Sequence, residues 1–409
     1  MRLLVRGGVV LDPHAGRASQ ADVVIEGERI VAVGSGLDGD QELDATGSLV
    51  VPGFIDCHVH VTVDEIDLLQ LIQAPFSLRF FKAVRNLAST LHTGVTTARD
   101  AAGADLGVKQ AVATGLVPGP DLHIAIGMLS QTGGHADEWM VSGSCVHALW
   151  PPHPGAPATV VDGVDEIRRT VRELIRAGAD VIKVATTGGV ISPRSNPSSA
   201  HFRDDELAAM IAEATAAGLS VMAHAQGTEG VKNAVRAGVR SIEHGVFLDE
   251  EAVTMMVERG TWLVPTLSAP QKLLRQAASG TVLTEATRRK VTDVVAAHQD
   301  SLRLARDAGV RIAMGSDAGI APHGENLKEL EFMGEQGLSP AEAFRAATSS
   351  AAELLGAADE IGEVAPGKLA NLVLLRGTDV TVRDLDSRVR TVVQRGAIVR
   401  RDVLASDEA

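Results

Sequence analysis

The chain has 409 residues, of which 45% are hydrophobic and 22% charged, and its formal net charge is -14. That length suits a large α/β domain with an appended smaller one, and the acidic balance argues against nucleic acid as a partner, since nothing is left over to neutralise phosphates. Two cysteines, Cys57 and Cys145, argue against a disulfide framework and for a reducing compartment.

Residues 1–53 open with short apolar runs, LLVRGGVVLD, DVVIEGERIVAVG and ELDATGSLVVPG, separated by Gly and Asp turns. This alternation predicts a small antiparallel β unit. The opening run breaks at Gly7-Gly8, too early for a signal peptide. No apolar run in the chain reaches the roughly 18 residues of a membrane span. The expectation is a soluble, cytoplasmic protein with no membrane partner.

From residue 54 to 357 the texture changes to short apolar strands alternating with helix-period segments. The candidate strands are 54–61, 96–101, 122–127, 180–186, 220–225, 241–245, 261–267 and 311–317. Eight strands with helices between them predict a (β/α)8 TIM barrel. Residues 128–160 break the rhythm with no clear element, and a loop that long in a compact domain is usually functional. The segment LSPAEAFRAATSSAAELLG reads as the last outer helix. Residues 358–409 return to the opening texture in NLVLLRG and RVRTVVQRGAIVR, so both termini are expected to form one β-sandwich domain.

Chemistry on such a barrel sits at the C-terminal ends of the strands. There the first strand places His58 and His60 on one face, the fourth Lys183, the fifth His224, the sixth His244 and the eighth Asp317. Taken singly, a strand histidine is usually a hydrogen-bonded structural residue, and an Asp after a strand is usually a helix cap. Gathered at one end of one barrel, the set points to a metal site, because imidazole and carboxylate are ordinary ligands of zinc and similar ions. Lys183 is unusual in this company, since burial and nearby cations both disfavour an ammonium. Its neutral amine can take up carbon dioxide and become a carbamate, an anion with one oxygen for each of two metals. A Schiff-base lysine is the competing reading, and it calls for no surrounding histidines.

IDCHVH, VIKVATTGG, MAHAQG, SIEHG and GSDAG, in this order, resemble the motifs of the amidohydrolase superfamily, in its imidazolonepropionase-like and prolidase-like branch. The resemblance implies two divalent metal ions, zinc being first choice. It implies that His58, His60 and Asp317 hold the more buried ion, that His224 and His244 hold the more exposed one, and that the Lys183 carbamate bridges them. It further implies hydrolysis of an amide-type C–N bond by a hydroxide held between the metals, with Asp317 moving the proton to the leaving nitrogen. A small-molecule substrate is expected, a dipeptide or N-acyl amino acid before an aryl amide, carbamate, urea or imidazolone-type cyclic amide. Homo-oligomers are common in the family, and one is expected here. Deaminases of the superfamily carry a Glu three residues after the fifth-strand histidine, where this chain has Gly227. A non-catalytic scaffold is disfavoured because all six ligand positions are filled.

On the substrate side, His135 follows Gly133-Gly134 in a context that contacts substrate in prolidase-like relatives. Those relatives often show HAYG where this chain has HAQG, so Gln226 replaces a tyrosine, and the chain contains no tyrosine at all. Arg194 in ISPRSNPSSAHF and His323 in APHGEN are further candidates for substrate contact. Trp139, Trp150 and WPPHPG suit an apolar lid.

Overall fold

A computed structural model describes residues 1–147, 149–190, 195–278 and 285–401. Eight strands come from the two ends of the chain: β1 (Arg2–Asp12), β2 (Arg17–Glu26), β3 (Arg29–Gly34), β4 (Gln41–Asp44) and β5 (Ser48–Pro52), then β14 (Leu372–Arg376), β15 (Val389–Gln394) and β16 (Ala397–Arg401). They form one sheet in the order β16-β15-β14-β5-β1-β2-β3, with β4 also on β1. A bulge between Val5 and Gly8 splits β1, so that its first half pairs with β4 and its second half with β5. Val23, Ile25, Leu43, Val50, Leu374 and Val393 bury one apolar cluster beneath this sheet. Strands from both termini thus share one sheet, joined where β5 pairs β14.

The middle of the chain supplies β6 (Phe54–Val59), β7 (Val95–Asp100) and β8 (Asp121–Ile124), then β9 (Met128–Leu129), β10 (Val181–Ala185), β11 (Ser220–Ala225), β12 (Ser241–His244) and β13 (Trp262–Val264). They lie in two parallel sheets, β6-β7-β8 and β13-β12-β11-β10-β9. Parallel strands need crossover connections, and helices such as Asp204–Ala216, Thr228–Ala237 and Glu250–Arg259 provide them. β6, β7 and β10 are buried along their whole length, as strands covered on both faces must be. The result is an α/β fold of the TIM-barrel type.

The segment 311–318 stands where the eighth strand was expected over 311–317, yet it carries only isolated bridges, to Leu263 and Val59 and from Ala318 to Ala321. On one side Leu263 N donates to Arg311 O at 2.8 Å, and Ala313 N to Leu263 O at 3.0 Å. On the other side Cys57 N donates to Met314 O at 2.9 Å, and His60 N to Ala318 O at 2.6 Å. Between the other two edges, Asp180 N donates to Ile124 O at 2.8 Å. Among the described residues no helix is long and apolar enough to cross a membrane.

Candidate metal centre and active site

His58, His60, Lys183, His224, His244 and Asp317 all line one cavity of about 580 Å³, each less than a tenth exposed. Four imidazoles in so small a space share one device. Each is fastened by its outward nitrogen, which leaves the inward one free. His58 Nδ1 donates to Glu243 Oε2 at 2.7 Å, His60 Nδ1 to Ala102 O at 2.8 Å, and His224 Nε2 to Gly188 O at 3.0 Å. His244 Nδ1 meets Thr266 Oγ1 at 2.7 Å. A ring bonded on its outer side is fixed in tautomer and orientation, as ligating histidines are. Burial pushes His58, His224 and His244 well below the usual imidazole range, so their inner nitrogens are lone pairs.

The carboxylate stands among these lone pairs. Asp317 Oδ1 lies 3.7 Å from His58 Nε2 and 3.5 Å from His60 Nε2, and has no hydrogen-bond partner. One ligand atom each of His58, His244 and Asp317 falls within 4.8 Å of the others. Lys183 Nζ is buried and also without a hydrogen-bond partner. Burial, ahead of neighbouring charges, lowers its ammonium and raises the Asp317 carboxyl. Unpaired buried polar atoms are costly, and a divalent cation satisfies all of them at once. The donor set therefore fits metal ions of the zinc type.

The backbone holds this arrangement under local strain. His244 has φ 75° and Asp317 φ 55°, values L-residues rarely adopt. Gly315 lets the segment carrying Asp317 approach β6, because a Cβ there would meet Val264 Cγ1 at 2.4 Å and His58 Cβ at 2.8 Å. Behind the ligands lie groups that the sequence motifs did not single out. Glu243 accepts from Arg99 Nη2 at 2.9 Å and Ser241 Oγ at 2.5 Å, and Arg99 Nε donates to Cys57 O at 2.7 Å. Asp56 accepts from Ser316 Oγ at 2.5 Å and Asn326 Nδ2 at 2.8 Å, tying β6 to the Asp317 segment. The signal for them was present as charges inside otherwise apolar strands, in SIEHG and TTARDA.

Two of the four substrate-side candidates line the cavity. His135 stacks on His224 with ring centroids 4.2 Å apart. Its ring lies so close to Gly189 that a Cβ there would meet it at 2.2 Å. Burial, then Lys183, pushes His135 down to about 3, so it is neutral. Gln226 presents a buried Oε1 with no partner. His323 does not line the cavity, and its Nε2 donates to Val63 O at 3.0 Å behind His60. Arg194 lies outside the described residues. The remaining walls are apolar, with Trp139, Met140, Val146 and Leu149 from the irregular segment and Ala269 and Leu273 from the helix Ser268–Ala278. Trp150 packs on His60 at 5.4 Å between centroids.

Parallel βα units with histidines, lysine and aspartate gathered at one cavity define a metal-dependent hydrolase. Known proteins agree. The family model described as Amidohydrolase family matches residues 49–399. Ochratoxinase of Aspergillus niger is 33% identical over 390 residues, covering 91% of this chain and 80% of that protein. A prolidase solved with N-methylphosphonate-L-proline superposes with TM-score 0.91 at 38% identity, covering 98% of this chain and all of its own. A Xaa-Pro dipeptidase with bound methionine gives TM-score 0.88 at 32% identity, covering 97% of this chain and 99% of that one. The chain belongs to the Amidohydrolase family, and it is a metal-dependent hydrolase of amide-type C–N bonds.

Proposed function

We propose that the chain hydrolyses the amide bond of a dipeptide or N-acyl amino acid with a large apolar group. The observation that carries this reading is the set of four outward-fastened imidazoles facing an unpaired Asp317 and Lys183 in an apolar cavity. His58, His60 and Asp317 hold one ion, His224 and His244 the other. Divalent ions bound there, zinc first among them, supply charge that acidifies a water and polarises a carbonyl.

As a carbamate, Lys183 would supply one oxygen to the ion in each of the two groups of ligands. Its neutral amine adds to carbon dioxide, forming an N–C bond and releasing one proton. Burial of an amine with no hydrogen-bond partner favours the neutral form that this addition needs. Asp317 takes a proton from the attacking water and delivers it to the leaving nitrogen. His135 and Gln226 orient the substrate from the wall, His135 as a neutral ring and Gln226 through its unpaired Oε1. The apolar walls exclude bulk water and strengthen these polar contacts.

Around this site, the hydrogen bonds on both sides of 311–318 support a closed eight-stave barrel over 54–357. The split β1, with an apolar cluster between its partners, supports a sandwich made of 1–53 and 358–409. The free cysteines support a cytoplasmic setting, and exposed Leu69, Ile72, Phe76 and Phe81 support self-association. A hydrolysis screen of dipeptides and N-acyl amino acids beside aryl amides and carbamates, run with metal analysis, tests the central reading. About two ions per chain and turnover of the first group are expected. Metal-free protein of full activity, or turnover confined to carbamates, overturns it.

A further inference from the structure

β12 ends in an unusual turn. Its last residue, His244, takes φ 75°, and Gly245 after it φ 61°. The register that pairs Glu243 with Val264 sets Pro265 opposite His244, and a proline has no N–H to donate. The ladder with β13 therefore stops at the very residue that carries a metal-facing imidazole. The carbonyl of a buried residue needs a donor, and this one is met from outside the sheet: His298 Nε2 donates to His244 O at 2.8 Å.

His298 belongs to the helix Glu285–Ala308. Val291, Val294, His298, Ser301 and Ala305 recur every three or four residues along it and are all buried, so they form one inward stripe. That stripe is apolar except at His298 and Ser301, and both polar side chains are spent on the loop that follows β12. Ser301 Oγ donates to Val246 O at 2.7 Å and accepts from Leu248 N at 2.9 Å. From the opposite side, main chain at the end of β11 holds the same loop. Gly245 N donates to Ala225 O at 3.0 Å, and Phe247 N to Gln226 O at 2.8 Å. Val294 and His298 also wall the cavity, so a single helix face meets both the substrate space and the main chain of His244.

We propose that His298, seconded by Ser301, is a positioning residue of the metal centre: it fixes the main chain of the loop after β12 and so aims the His244 imidazole at its ion. This deepens the metal-hydrolase reading and rests on His244 being a ligand. The ring of His244 is already steadied through Nδ1 by Thr266 Oγ1 at 2.7 Å. That bond sets the rotation of the ring, whereas His298 sets the place of the backbone that carries it. Neither His298 nor Ser301 touches the reacting atoms. Partners one step behind a ligand are commonly worth about tenfold or more in metal affinity.

The test is a cobalt(II) titration of metal-stripped wild-type, H298L and H298Q proteins, with bicarbonate present so that Lys183 can form its carbamate. Binding is followed by visible absorption and by elemental analysis after dialysis. H244A, which removes the ligand outright, marks the binding step that belongs to its site. In H298L that step is expected to weaken about tenfold, while the other step stays near wild type. H298Q restores it, because a glutamine amide again offers an N–H to the His244 carbonyl. Wild-type affinity at the marked step in H298L overturns the assignment, and so does equal weakening of both steps, the mark of a fold loosened throughout. If H298L does not fold, S301A replaces it and is read by the same two criteria. Wild-type protein that takes up no cobalt overturns the metal-centre reading and this assignment together, whereas normal steps in wild type and variant alike overturn this assignment alone.

Discussion

Asp317 has two tasks, as a ligand and as a proton carrier, and one substitution separates them. Asp317→Asn keeps an oxygen donor among the histidines but removes the basic lone pair that shuttles the proton. We expect kcat to fall about a thousandfold while metal content, read by elemental analysis, falls far less. Near-wild-type turnover in that variant would falsify the proton role. The six cavity residues were legible in the sequence because histidine, lysine and aspartate recur in or just after predicted barrel strands, in the order of motifs that resemble a known family. Glu243 and Arg99 were not, because a charge within a buried strand reads equally well as a misassigned strand until its partner is known. His323 misled for the opposite reason. A loop histidine near the predicted rim looks available, whereas here its ring is spent on backbone carbonyls.

At the level of elements, the irregular segment sets what the cavity accepts. Trp139 and its neighbours wall it without a regular element to hold them, apart from bridges such as Trp139 to Cys145. Trp139→Ala removes a broad apolar contact. We expect KM for a bulky aromatic N-acyl substrate to rise about tenfold, with a small N-acetyl substrate changing much less, as steady-state kinetics on the pair will show. An apolar lid with Trp139 and Trp150 was legible from their residue types, but the contacts by which each wall residue packs were not, because contacts in a loop depend on tertiary neighbours rather than on periodicity. The run LSPAEAFRAATSSAAELLG carries one helical period, yet two helices form, Pro340–Ala346 and Ser349–Leu355. Thr348 stands between them at φ -134° and ψ -95°, and its Oγ1 donates to Phe344 O at 2.6 Å. A threonine hydroxyl that bonds back to the preceding turn competes with the helix itself, and no periodicity analysis detects that. The strand at 311–317 was legible in position and not in regularity, since its pairing is broken where Asp317 takes a positive φ.

Across the whole molecule, stability should depend on pH through buried carboxyls away from the ligands. Glu329 accepts from Leu267 N at 2.7 Å, Ser268 N at 2.8 Å and Ser268 Oγ at 2.7 Å, and burial pushes it up to about 7 from an ordinary 4.5. A carboxyl whose folded value is raised favours its protonated form in the folded state. Its contribution is fully present below 4.5 and is lost as pH rises through about 7. Glu329→Gln lacks that titration. The stability gap between wild type and variant should therefore narrow with rising pH, by up to about 3 kcal/mol, in denaturant melts at pH 5 and pH 8. A constant gap removes Glu329 from the account. The union of both termini in one sheet was readable at this scale because the same alternating texture marks both ends. The split of β1 between two partners was not, since bulges leave little trace in alternation.

One closed circuit of bonds has a further implication. Arg99 grips the carbonyl of Cys57 and also Glu243, and Glu243 grips the ring of the next residue, His58. Main chain and side chain of one strand are thus clamped from β7 and β12 together. Loosening either grip would let the ring swing, so damage at Arg99 should reach the metal centre without touching any ligand.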